Sequence, residues 1–168
     1  MRYKVFKQRQ KQEANGDLRL EDNKKYVLFS DVSNTSIKRR DIAENIVKCL
    51  GGNYSLLIMC GVKPQEVPYY INASDFLLLT SDEEGSPNII REALSLNKSV
   101  FSVEVGDAAK QLEGLQNSVI ISRDPIKAAD TIVSILRKPY VDYTRDTLRD
   151  RLNFVQVNRV VVDKYLKL

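Results

Sequence analysis

Two glutamates, Glu84 and Glu92, stand with seven residues between them, one in a polar loop and one on the segment that follows it. The loop reads Thr80-Ser81-Asp82-Glu83-Glu84-Gly85-Ser86-Pro87-Asn88. Ser86 is a favourable N-cap and Pro87 suits a first helical position, so a helix is expected from Asn88 to Leu96. The N–H groups of Asn88 and Ile89 then lack intrahelical acceptors and face a cleft. Such a helix start suits an anion or a hydroxyl-rich ligand. Glu92 falls among Ile89, Ile90, Ala93 and Leu94, where a carboxylate is costly unless it is satisfied or borders a cleft. By spacing alone the two glutamates fit equally an acidic turn before a capped helix with one exposed Glu.

Composition narrows the chemistry further. The 168 residues contain no histidine, which removes Ser-His-Asp and Cys-His catalysis and most zinc enzymes. Two cysteines, Cys49 and Cys60, are too few for a disulfide framework or a four-cysteine metal site. No G-x-G occurs, so neither the dinucleotide fingerprint nor a phosphate-binding P-loop is present. What remains is carboxylates, Lys, Arg, Ser, Tyr and backbone dipoles. The net charge is +4. Arg2, Lys4, Lys7, Arg9 and Lys11 all precede the first acidic residue, Glu13. That run reads as a solvated tail or as a contact for acidic lipid or a partner. With no interleaved aromatics or recognisable module, no nucleic acid is expected as a partner. The N-terminus runs into charge rather than an apolar segment, and no stretch is long and apolar enough to span a membrane. A reducing cytoplasm is the expected compartment, including the inner face of its membrane if the basic run meets lipid.

The elements that must position these groups alternate. Apolar runs at Tyr26–Ser30, Leu56–Cys60, Phe76–Leu79, Ser99–Val103 and Val119–Ile121 read as buried strands. Helices are expected over Ile37–Leu50 (stopped by Gly51-Gly52), Glu66–Ala73, Asn88–Leu96 and Ile126–Leu136, with Pro125 in the first turn of the last. One or two more are expected between Arg145 and Leu166. Residues 1–24 read as a polar N-terminal arm with a turn at Asn15-Gly16-Asp17, and residues 25–168 as one domain. Strands alternating with helices give an α/β fold, a three-layer Rossmann-like parallel sheet with helices on both faces. Ligands of such sheets bind beyond the carboxyl ends of the strands. The loops Ser30–Ser36, Gly61–Gln65, Thr80–Asn88 and Glu104–Ala108 are therefore the candidates.

The stretch from Val67 to Asp107 resembles the C-terminal, donor-binding domain of retaining glycosyltransferases of the GT-B fold, the group 1 or family-four class. The likeness is carried by Val67-Pro68-Tyr69-Tyr70-Ile71-Asn72-Ala73-Ser74-Asp75, by Ser81–Asn88, by Arg91-Glu92-Ala93-Leu94 and by Val105-Gly106-Asp107. Glu84 and Glu92 form the family's E-x7-E signature, and a weaker likeness runs from about Tyr26 to Tyr165. The resemblance implies that Glu84 faces the hydroxyls of the donor sugar and that Glu92 accepts hydrogen bonds from the ribose. Ionised carboxylates are acceptors only, and hydroxyls can donate to both oxygens. The backbone from Gly85 through Ser86, Pro87, Asn88 and Ile89 approaches sugar and phosphates, and Gly85 has no Cβ in the way. Lys38 and then Arg39, at the start of the first helix, match the family's diphosphate-holding cations. With Glu84, Lys38 is the residue assigned to the reacting end of the substrate. Fixed cations stabilise the departing diphosphate without a metal, so no cofactor is implied beyond the nucleotide diphosphate sugar itself, UDP-, GDP- or ADP-linked.

Departures from the family are equally specific. Ser30-Asp31 follows the first strand where Gly-Arg is usual, and Asp31 opposes an anion there. Ser55 to Asp75 is short, one strand serving where two strands and a helix are usual, and the nucleobase wall is expected near Gly61, Val62 and Lys63. Only the donor half of a two-domain enzyme is matched, so an N-terminal acceptor domain or a partner subunit is implied, and the isolated chain is expected to transfer nothing. Two other readings stay open: a non-catalytic nucleotide-sugar-binding or partner subunit, and a flavodoxin-like phosphoacceptor module using Asp31 or Asp82. The last lacks a lysine after Val119–Ile121.

Overall fold

A computed structural model describes residues 18–31 and 36–142. The basic run Arg2–Lys11, the turn Asn15–Asp17, most of the Ser30–Ser36 loop and the expected helices between Arg145 and Leu166 lie outside the described residues. The elements are β1 (Lys25–Ser30), a 3-10 turn (Ser36–Lys38), α1 (Arg40–Leu50), β2 (Tyr54–Met59), α2 (Val67–Ala73), β3 (Phe76–Leu79), α3 (Asn88–Ser95), β4 (Ser99–Ser102), α4 (Ala108–Leu112), β5 (Val119–Ile120) and α5 (Pro125–Leu136).

The five strands form one parallel sheet in the order β2-β1-β3-β4-β5. Every residue of β3 and β4 is buried, which is why both read as unbroken apolar or small-residue runs rather than alternating ones. Phe76 and Phe101 meet edge to face across β3 and β4 with ring centroids 5.0 Å apart. The chain leaves β1 toward β2 and then crosses back to β3 on its other side, so the order reverses between β1 and β3. Helices α1 and α5 pack together, and α3 contacts both α2 and α4. Parallel right-handed crossovers with that reversal put the two groups on opposite faces. This is the expected α/β, Rossmann-like architecture.

Local chemistry sets the helix ends. Gly51, at φ 94°, closes α1 and donates its N–H to the Lys48 carbonyl. Asp124 caps α5, accepting from the N–H groups of Ile126 and Lys127 at 3.0 Å, with Pro125 in the first turn as expected. Asn97, at φ 58°, ends α3 in a Schellman arrangement, with Lys98 N–H on the Ala93 carbonyl and Asn97 N–H on that of Leu94.

Three expectations are corrected. The helix expected over Ile37–Leu50 is broken: Lys38 ends a 3-10 turn, and Arg39 sits in the left-handed region at φ 52° before α1 begins. Thr80 Oγ1 donates to the carbonyls of both Lys38 and Arg39 at 3.0 Å, and Asp82 N–H donates to that of Ile37 at 2.8 Å. These tertiary bonds from the loop after β3 override local helix propensity. Ser86 does not cap α3; Pro87 occupies that position in an extended conformation, and the Ser86 hydroxyl turns to Asp107. The short helix α4 was not expected at all. Within the expected arm, Leu18 and Leu20 pack on the core, and Glu21 N–H donates to the Tyr26 hydroxyl at 2.9 Å.

Candidate functional site

At the carboxyl ends of β1, β2 and β3, where the strand order reverses, lies a pocket of about 250 Å³. Its walls come from Ser30, Met59 and Leu79 at the strand ends, Val67 of α2, Lys38, Glu84, Ser86, Pro87, Asn88, Ile89 and Glu92; Gly85, expected there, does not line it. Ligands of open α/β sheets sit at this reversal because the loops from the two flanking strands run to opposite faces and leave a crevice.

Lys38 and Glu84 come from loops 46 residues apart and meet in the pocket wall, Nζ to Oε1 at 2.5 Å. Both are largely shielded, their side chains 22% and 14% exposed. The Ser81 hydroxyl donates to the same Oε1 at 2.8 Å. Glu92, 3% exposed, stands on the pocket side of α3, one turn below the start of that helix. Asn88 and Ile89, the first two residues of α3, border the same space, and the first-turn N–H groups of a helix have no intrahelical acceptors. One cation, two carboxylates and a helix N-terminus therefore border a single cavity.

The loop carrying Glu84 is held from behind. Asp107 N–H donates to the Gly85 carbonyl at 3.1 Å. The Asp107 carboxylate accepts from Ser86 Oγ at 2.9 Å and from Gln111 Nε2 at 2.5 Å, and Arg91 donates to Ser86 Oγ at 2.6 Å. Gly106, at φ 53°, lets the loop lie close: a Cβ there would stand 2.2 Å from the Gly85 carbonyl oxygen and 2.6 Å from that of Glu84. Gly85 itself faces open space, where a Cβ would meet nothing within 4 Å.

Arg39 is not brought into the pocket wall. Its guanidinium bonds Asp41 at 2.8–2.9 Å and Asp82 at 3.3–3.4 Å. Those carboxylates raise the Arg39 pKa still further above its ordinary value, while Arg39 holds the Asp41 carboxyl below the ordinary range. Arg40 pairs with Glu44 on the surface. Val62 packs half-buried on the core beside the left-handed turn at Gly61 (φ 62°) and does not line the pocket either. Asp31, at the end of β1, is 4% exposed. Among the described residues no group of three His, Cys, Asp or Glu side chains gathers to hold a metal ion, and no helix is long and apolar enough to cross a membrane.

Sequence reasoning missed Ser81, Arg123 and the positioning work of Asp107. Ser81 and Asp107 lie inside the segments that carried the resemblance, but nothing in their spacing shows which atoms they meet.

No protein-family model matches the chain, and no curated protein matches it by sequence. Solved structures do. The chain superposes on a sucrose-phosphate synthase from Thermosynechococcus elongatus with a TM-score of 0.61 at 15% identity, covering 93% of this chain and 47% of that one. It superposes on the C-terminal domain of a glycosyl transferase group 1 family protein (LpcC) from Francisella tularensis with a TM-score of 0.62 at 14% identity, over 93% and 95% of the two chains. A glycosyltransferase from Rickettsia africae ESF-5 gives 0.64 at 14% identity, over 94% and 52%. The chain thus spans about half the length of two of these proteins and nearly all of an isolated C-terminal domain. At these identities the likeness establishes a shared fold.

Proposed function

We propose that this chain is the nucleotide-sugar-binding domain of a retaining glycosyltransferase. The observation that carries the reading is the meeting of Lys38, Glu84, Glu92 and the α3 N-terminus around one pocket at the strand-order reversal. A nucleotide diphosphate sugar needs four things: a cation and N–H groups for its phosphates, and hydroxyl acceptors for its ribose and its sugar. Lys38 and the N–H groups of Asn88 and Ile89 supply the first two, and the two glutamates supply the others. The glycosyltransferase neighbours named above support the same reading.

In this proposal Lys38 takes up the charge that grows on the leaving diphosphate as the glycosyl bond breaks, a task that a fixed ammonium performs without a metal ion. Glu84 accepts from the sugar hydroxyls, and Glu92 from the ribose. The backbone from Gly85 to Ile89 passes over sugar and phosphates, its approach unobstructed at Gly85. Arg39 adds a second cation only by leaving Asp41 and Asp82, and Val62 borders the nucleobase only from outside the pocket. The acceptor, and the walls that exclude water, come from an N-terminal domain or a partner subunit. The pocket, smaller than the roughly 300–1,000 Å³ of a complete ligand site, fits one side of a shared cleft.

The strand order also suits a flavodoxin-like phosphoacceptor, but of its two candidates Asp31 is buried, 4% exposed, and Asp82 is committed to Arg39 and Arg123. Calorimetry with UDP, GDP, ADP and their glucose conjugates tests the proposal. One nucleotide should bind, and Glu84→Ala should weaken its sugar conjugate more than the bare diphosphate. Absence of binding by all of them, or equal losses for both ligands, overturns the reading. A transfer assay with and without an N-terminal domain separates an enzyme half from a binding subunit.

A further inference from the structure

We infer that Arg123, just beyond β5, is a positioning residue for the pocket: it fixes the loop from which Lys38 and Glu84 are held together. Arg123 does not line the pocket. Its guanidinium reaches past β4, which lies between β5 and β3 in the sheet, to the loop after β3. Nη2 donates to the Ser81 carbonyl at 2.9 Å, and Nη1 donates to the Asp82 carboxylate at 2.7 Å and the Thr80 carbonyl at 3.4 Å. Those three residues are the ones that organise the charged groups. Ser81 Oγ holds Glu84, Thr80 Oγ1 holds the carbonyls of Lys38 and Arg39, and Asp82 N–H holds that of Ile37. The segment Thr80–Asp82 thus clasps Glu84 on one side and the Lys38 turn on the other, and Arg123 fixes the segment itself.

A planar guanidinium spreads its donors in a rigid fork across the three oxygens, whereas the three donors of a lysine radiate from a single atom. The Arg123–Asp82 ion pair is exposed at both ends, 41% and 45%, and such pairs add little to overall stability. Loss of Arg123 therefore acts through loop geometry more than through the fold. No position in the sequence near the pocket announces this residue, because the sheet order alone brings β5 into reach of the loop.

The role of Arg123 in binding rests on the function proposed above, so the test has one arm that needs no ligand. Amide hydrogen exchange on the free protein should show the Asp82 N–H of Arg123→Ala exchanging roughly tenfold faster, with the β1 and β3 amides unchanged. In the second arm, calorimetry uses UDP-, GDP- and ADP-glucose with the matching diphosphates. Arg123→Ala should lose roughly three- to tenfold in affinity for the sugar conjugate that binds, and less for the bare diphosphate. In a Glu84→Gln background the same change should cost less, since the part of its effect that passes through Glu84 is already gone and only the part through the Lys38 turn remains. Arg123→Lys, which keeps the charge and one donor direction, should fall between and serves if the alanine variant does not fold. An unchanged Asp82 exchange rate overturns the inference, as does an equal loss with and without Glu84. If neither the diphosphates nor their glucose conjugates bind the wild type, the proposed function falls, and the exchange arm alone decides the role of Arg123.

Discussion

A methyl group added at Gly106 and one added at Gly85 should have opposite consequences. At Gly106 the new Cβ would stand 2.2 Å from the Gly85 carbonyl oxygen and 2.6 Å from that of Glu84. Ordinary contact lies near about 3.5 Å, so the loop must retreat by roughly 1 Å. Gly106 also adopts φ 53°, a conformation costing an L-residue about 1–2 kcal/mol. Overpacking against backbone adds about 1–3 kcal/mol. Together Gly106→Ala should destabilise by roughly 2–5 kcal/mol, which for a chain of this size lowers Tm by roughly 4–20 °C. The retreat also carries Glu84 away from Lys38, so affinity for a nucleotide diphosphate sugar should fall. At Gly85 a Cβ meets nothing within 4 Å and the backbone is not left-handed. Gly85→Ala should leave Tm within about 1 °C yet weaken binding, because in the proposal sugar and phosphates pass over the backbone at Gly85. Thermal unfolding and calorimetry on the two variants decide the matter. A Gly106→Ala variant with wild-type Tm and affinity would refute the packing argument. A Gly85→Ala variant that binds normally would remove the ligand from that side of the loop.

Glu92→Gln should weaken nucleotide binding by about 1–3 kcal/mol with little change in Tm, the range for a hydrogen bond to a charged group; unaltered affinity in calorimetry sinks the ribose assignment. Lys38→Met should weaken the bare diphosphate and its sugar conjugate alike, and should flatten the dependence of binding on salt; undiminished salt dependence would take Lys38 away from the phosphates. Asp41 has its folded pKa depressed by Arg39, so its stabilising contribution is present above the unfolded value of about 3.9 and is lost as pH falls through the folded one. Because the pair is exposed, the effect is small. Acid unfolding of Asp41→Asn should begin from a slightly lower Tm at neutral pH and converge with the wild type once pH falls below the folded pKa of Asp41, and parallel curves would refute the linkage.

Much of the architecture was legible because it depends on neighbours in sequence. A run such as Phe76–Leu79 has strand length and no helical period, Gly51-Gly52 disfavours helix locally, and Asp124-Pro125 starts one by its own side chain and ring. Glu84 and Glu92 share the pocket for the same local reason, since a strand, a loop and a helix start in succession bring both to one end of the sheet. The contact of Lys38 with Glu84 is different. It joins residues 46 apart, and it exists because β1 and β3 are adjacent in the sheet. The break at Arg39, the turning of Ser86 toward Asp107 and the reach of Arg123 to Ser81 share that origin. In each, a hydrogen bond from a distant loop outweighs a local preference worth about a kcal/mol or less. Helix and strand preferences are summed along the chain and can be read there. Which loop supplies the competing donor is fixed by strand order, and only the assembled sheet decides it.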